Sequence, residues 1–152
     1  MNVKKLILAA IVVGIVVNVY DFVIHGVLLA GTYEGLPALF RQDSPILWLV
    51  IGGFVAALVF VWYYAKVQGS FGTGAGAGAK FGLYTGILLG FPSQLFLNMM
   101  FVDFPYSLSW IWVFAIIGWG IVAGATAGAM YRVDAAPAAP AASEGGEAAT
   151  AF

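Results

Sequence analysis

Cysteine is absent from this chain, which excludes disulfides, cysteine-ligated iron–sulfur clusters and thiol catalysis. Charge is nearly as scarce: Asp, Glu, Lys and Arg make up 9% of the 152 residues, where a soluble domain carries about 25%. That leaves too little charge to coat a water-facing surface. With 62% hydrophobic residues and a mean hydropathy of +0.98, the class is integral membrane protein. The formal net charge is −1, and no basic patch exists to neutralise phosphate, so nucleic acid is excluded as a partner. Gly72-Thr73-Gly74-Ala75-Gly76 lacks the following Lys-Ser/Thr and the preceding strand of a phosphate-binding loop. There is one histidine, and one His with one buried acid falls short of a usual metal-ligand set.

What is present is apolar and helical in length. Residues 6–30, 45–65, 79–102 and 108–131 each form a run able to cross a hydrocarbon core of about 30 Å. The expected fold is all-α, a four-transmembrane-helix bundle over residues 1–132, followed by an Ala/Pro-rich tail over 133–152. The first run has the short basic start of a signal peptide, but it is too long and ends without a small-x-small cleavage site, so it reads as a retained helix. Ser44-Pro45 marks a helix start, with Ser as the cap and Pro in the first turn. Residues 103–107 form a tight turn, and 68–78 a glycine-rich connection. The tail has almost nothing to bury and is expected to be disordered on its own.

Charge sets the expected topology. Lys4, Lys5, Lys66, Lys80 and Arg132 fall on one side of a four-span chain, and only Arg41 falls on the other, beside Glu34, Asp43 and Asp103. The positive-inside bias puts both termini in the cytoplasm. Tyr33, Trp48, Trp62, Tyr63, Tyr64, Tyr106, Trp110, Trp112 and Tyr131 sit near the expected boundaries and read as an interfacial belt.

In lipid, small residues let helices approach closely. The third run carries Gly82, Gly86 and Gly90 at four-residue spacing, and the fourth carries Gly120, Gly124 and Gly128. These six are the expected packing residues. Gly74 and Gly78 continue the series backwards but read as loop.

The polar residues inside the runs are few. Asn18, Asp21 and His25 fall within an arc of about 60° on the first helix, at 100° per residue. Pro92 interrupts the third run near its middle, and Ser93, Gln94 and Asn98 follow. Matching depth predicts one polar intramembrane cluster of Asn18, Asp21, His25, Ser93, Gln94 and Asn98, with Trp119 as its floor. Asp21 and His25 are four residues apart, so carboxylate and imidazole are expected to meet. No catalytic set is evident, although Ser93 is a hydroxyl within the cluster.

The run Asp21-Phe22-Val23-Ile24-His25-Gly26-Val27-Leu28-Leu29, the Trp48 start of the second helix, and Lys80-Phe81-Gly82-Leu83 with its downstream glycines resemble a group of small bacterial four-helix integral membrane proteins of unknown function. The resemblance covers roughly residues 3–132. It implies a multi-pass protein of the bacterial inner (plasma) membrane and implies no activity.

The leading functional expectation is a non-catalytic accessory or structural subunit of a larger bacterial membrane complex, such as an energy-transducing one. Its partners would be other membrane-protein subunits and the lipid bilayer, with no cofactor. The alternative is a small transporter or proton-coupled channel using Asp21 and His25. A third reading is a haem- or chlorophyll-binding protein through His25, since a lone membrane His beside small residues suits a flat macrocycle.

Overall fold

The structure is a computed structural model that describes residues 2–41, 43 and 45–131. Ser44, Arg132 and the tail lie outside the described residues. Helices make up nearly all of the rest, and no strand occurs among the described residues. Helix α1 spans Val3–Asp21 and runs directly into a π-helical stretch, Phe22–Leu28. A short helix α2, Ala30–Glu34, begins the following loop. Helix α3 covers Ile46–Val67 and closes with a 3₁₀ turn over Gln68–Ser70. Helices α4, Ala75–Met100, and α5, Tyr106–Met130, follow.

Among the described residues, three segments are long and apolar enough to cross a membrane: Val3–Leu28, Ile46–Ser70 and Tyr106–Met130. They mark the chain as a membrane protein. Helix α4 is as long, at 26 residues, but glycines, Lys80, Gln94 and Asn98 dilute its apolar character.

The helix ends have local causes. Asn2 caps α1, its side-chain oxygen accepting from the Lys5 amide at 3.1 Å, so the helix starts three residues ahead of the apolar run. Pro45 occupies the cap position of α3 in extended backbone and Ile46 begins the helix, where a residue without an N–H loses nothing. Helix α4 starts at Ala75, earlier than hydropathy indicates. Gly74 precedes it with φ +91, a conformation that favours glycine.

Helices α4 and α5 pack antiparallel along a glycine seam. A Cβ on Gly78 or Gly82 would fall on the carbonyl of Gly124 or Gly120, and the reverse holds from α5. A Cβ on Gly86 would lie 2.7 Å from the Ile117 Cα, and one on Gly128 would strike the Gly74 carbonyl. Gly78, read as loop from the sequence, is therefore a helical packing residue of this seam. The seam weakens at Gly90, where a Cβ would find 3.2 Å to the Val113 carbonyl.

Helix α1 packs on α3 and α5. Its buried residues Leu6, Ala9, Ala10, Val13 and Val17 meet Ala57, Phe60, Val61 and Tyr64 of α3 and Ala123 and Ala127 of α5. Phe81 lies 5.1 Å from Phe60 and 5.3 Å from Tyr64, ring centre to ring centre. The hydrophobic core thus fills the end of the bundle that holds the start of α1 and the end of α3. Tyr64 and Tyr131 are buried in it, so they are core residues and not part of an interfacial belt; the Tyr131 hydroxyl accepts from the Asn2 amide at 3.2 Å. At the opposite end the packing opens. No residue of α4 beyond Gly90 is buried, and none of α3 before Ala57.

Candidate functional site

The glycine series on α4 advances by four from Gly74 to Gly90, and the next position in register is Gln94. Where a sixth glycine would continue the seam, a long polar side chain stands instead. Pro92 has no N–H to offer the Leu88 carbonyl, and the Ser93 hydroxyl donates to the Leu89 carbonyl. Beyond this point no glycine continues the seam on α4, and a cavity of about 290 Å³ is lined by α1, α4 and α5.

Asp21 and His25 line this cavity from α1 and its π-helical extension, Gln94 and Leu97 from α4. Trp112, Ala115, Ile116 and Trp119 line it from α5. The Asp-Phe-x-x-His-Gly run coincides with the change from α- to π-helix. The Leu29 amide donates to the Ile24 carbonyl five residues back, at 2.9 Å. Such a widened turn shifts the phase of every residue after it, and π turns recur at functional sites.

Each polar group of the cavity is oriented by a neighbour. The Trp119 indole, a hydrogen-bond donor, neighbours the Asp21 carboxylate in the cavity wall. His25 Nδ1 lies 2.5 Å from the Tyr33 hydroxyl, and the Trp112 Nε1–H donates to that same hydroxyl at 3.0 Å. Burial pushes the Tyr33 hydroxyl above its ordinary pKa, against the smaller opposing pull of the Trp112 hydrogen bond, so it keeps its proton at neutral pH. An indole can only donate. The Tyr33 oxygen accepts from Trp112, and its own proton is available to His25 Nδ1. With that proton donated, His25 is the neutral tautomer with its proton on Nε2.

Gln94 is oriented in the same way. The Ser93 hydroxyl proton is committed to Leu89, so Ser93 Oγ accepts from Gln94 Nε2 at 3.2 Å. Gln94 Oε1 is then the free end of the amide, buried and without a partner. The cavity holds two acceptors, Asp21 and Gln94 Oε1, and one donor, His25 Nε2–H. Rings close one end of it. Tyr33 stacks on His25 at 6.0 Å, and Phe40 and Phe104 lie 5.9 and 5.5 Å from Trp112.

Of the six residues expected to form one polar cluster, Asp21, His25 and Gln94 share this cavity and Ser93 stands behind Gln94. Asn18 does not join them. Its amide donates to the Gly14 carbonyl at 2.8 Å and lies over Gly53 of α3, so the stripe on α1 divides between two neighbours. Asn98 turns away too, donating to the Phe104 carbonyl at 2.7 Å in the α4–α5 turn. The expected contact between Asp21 and His25 is replaced by their separate neighbours, Trp119 and Tyr33.

Tyr33 and Trp112 are site residues that the sequence reading assigned to the interfacial belt. Tyr33 lies on α2, outside any apolar run, and no spacing links it to His25. A second cavity of about 350 Å³ lies on the other side of α1, with Tyr20 as its polar side chain among apolar residues such as Ile24, Ile111 and Phe114. The Tyr20 hydroxyl is already committed to the Ala115 carbonyl at 2.9 Å, which leaves that cavity without convergent polar groups.

Compared with protein-family models, curated proteins and solved structures, the chain matches none.

Proposed function

We propose that the protein is a small solute-binding transporter or proton-coupled channel whose working site is the Asp21–His25–Gln94 cavity. The observation that carries this reading is the cavity: a largely apolar chamber with a few oriented polar groups, one of them an acid on a membrane-crossing helix. An ionisable group at that depth is costly and marks a substrate or ion path. In this reading α4 is a fourth span. Its 26 residues reach about 39 Å at 1.5 Å per residue, and its glycine seam against α5 supports it. Both termini are cytoplasmic. The end of the bundle where Asn2 meets Tyr131 and Tyr64 meets Phe81 is also the end that carries Lys4, Lys5, Lys66 and Lys80. The cavity then lies in the outer half of a bacterial inner membrane, the membrane implied by the sequence resemblance.

The test is flux. Protein reconstituted into liposomes under a pH gradient is expected to carry a pH-dependent flux that Asp21→Asn abolishes; no flux from the native chain, or an unchanged flux from the variant, overturns the reading.

A second reading, the accessory subunit, is favoured by the start of α3. Ile46, Leu47, Trp48 and Leu49 are 71%, 67%, 69% and 68% exposed, and four successive residues cover the full circumference of a helix. This end of α3 stands clear of the other helices and offers an apolar surface to lipid or to another subunit. Purification in mild detergent distinguishes the two: a co-purifying membrane partner lost on Trp48→Asp supports the subunit reading, and a lone active chain removes it.

A further inference from the structure

We propose that the cavity takes an organic cation: a protonated amine on a small apolar or aromatic body. This rests on the reading of the Asp21 cavity as the working site and assigns its substrate class. Among the described residues, Asp21 is the only acid lining the cavity, and no Lys or Arg lines it. His25, whose Nδ1 faces the Tyr33 hydroxyl, adds no charge in its neutral form. The chamber is therefore net negative whenever Asp21 is ionised.

Its hydrogen-bonding capacity is unbalanced in the same sense. Gln94 Oε1 is buried with no partner, and the Trp119 indole is the donor that neighbours the Asp21 carboxylate. A carboxylate has room for about four hydrogen bonds, so the unfilled capacity is acceptor capacity. An ammonium group, with two or three N–H donors and a positive charge, fills it; an anion adds acceptors where acceptors are already in surplus. The remaining wall is Trp112, Trp119, Leu97 and Ile116. Indole rings are the best side-chain partners for a cation and also accept an apolar body. The volume of about 290 Å³ is that of about ten waters at ~30 Å³ each, enough for one ring and a short alkylammonium arm. Ser93 and Tyr33 act as positioning residues, since each fixes which atom of Gln94 or His25 faces the ligand.

The experiment compares three isosteric probes on the full chain in nanodiscs, by calorimetry and tryptophan fluorescence: phenethylammonium, its neutral counterpart 2-phenylethanol, and the anion phenylacetate. Saturable binding of the ammonium at least tenfold tighter than the alcohol, with no binding of the anion, is expected. Asp21→Asn should remove the preference for the ammonium over the alcohol, and Gln94→Leu should weaken the ammonium several-fold. Circular dichroism and elution volume matching the native chain establish that both variants fold. Equal or tighter binding of the alcohol or the anion overturns the cation assignment and leaves the cavity a binding site. Absence of binding by all three, with an Asp21-dependent flux intact, also overturns the cation assignment alone. Absence of binding together with absence of flux overturns the working-site reading beneath it.

Discussion

Gly82 and Gly120 face each other so closely that each carbonyl occupies the space a Cβ on the other residue would need. The obstacle is backbone on both sides, and backbone cannot rotate away as a side chain can. Gly82→Ala should therefore force α4 and α5 apart and destabilise the fold by about 1–3 kcal/mol, in the range of overpacking a filled interior. Gly76 lies in the same helix, and a Cβ there would meet nothing within 4 Å. Gly76→Ala should be neutral or slightly stabilising, because alanine favours helix over glycine by about 1 kcal/mol. Unfolding in a denaturing detergent series measures both, and equal behaviour of the two variants would contradict the seam.

The chain from Trp112 through Tyr33 to His25 makes a prediction about a proton. In ¹⁵N-labelled native protein, His25 should show one tautomer at neutral pH, with Nδ1 unprotonated and Nε2 protonated. Tyr33→Phe removes the donor to Nδ1, and the spectrum should change to a mixture of tautomers. The stability cost should be small, about 0.6–1.7 kcal/mol, as for other hydrogen bonds within membranes. A native spectrum with Nδ1 protonated would reverse the direction of the chain and return the Nε2 lone pair to the cavity.

Legibility in the sequence followed the range of the interaction. The glycine seam could be read because period four on two segments is a local pattern with one physical meaning. Asp21, His25 and Gln94 could be read as unusual because each is polar within an apolar run. Which of them meet was not legible. The π-helical stretch changes the phase of α1 just where the polar stripe lies, so ideal α-helical geometry no longer tells which neighbour each residue faces. Tyr33 was beyond reach, since its partnership with His25 depends on how the loop folds back. Hydropathy marks the helix start too late for Gly78, because the α4–α5 packing begins a turn earlier, in small residues that add little hydropathy.

Asn18 and Gly53 form a second close pair, between α1 and α3. A Cβ on Gly53 would sit 2.6 Å from Asn18 Nδ2. Gly53→Ala should cost about 1–2 kcal/mol by displacing that amide, and most of the cost should vanish in an Asn18→Ala background. Such a double-mutant cycle is expected to give a coupling energy within the 0.5–3 kcal/mol found for residues in contact. Because the pair faces away from the Asp21 cavity, the cycle should leave ligand binding unaltered. Loss of phenethylammonium binding in Asn18→Ala would show that the division of the stripe is wrong.

The turn between α4 and α5 holds Asp103 at φ 65, and it is the only non-glycine residue in the left-handed region among the described residues. That conformation costs an L-residue about 1–2 kcal/mol, least for Asp and Asn, whose short side chains bond locally. Asp103→Gly should be neutral or stabilising by up to about 1 kcal/mol, and Asp103→Val should be destabilising by at least as much, because a β-branched side chain worsens the clash. The neighbouring clamp, Asn98 Nδ2 to the Phe104 carbonyl at 2.7 Å, holds the same turn. Asn98→Leu leaves that carbonyl without its partner and should cost about 1 kcal/mol, additive with Asp103→Gly only if the two act independently. Phe104 packs against Trp112, so a loosened turn should also disturb the ring that orients Tyr33. The expected sign is a rise in tautomer mixing at His25 in Asn98→Leu, smaller than in Tyr33→Phe, and an unchanged His25 spectrum would show that the turn and the site are mechanically separate.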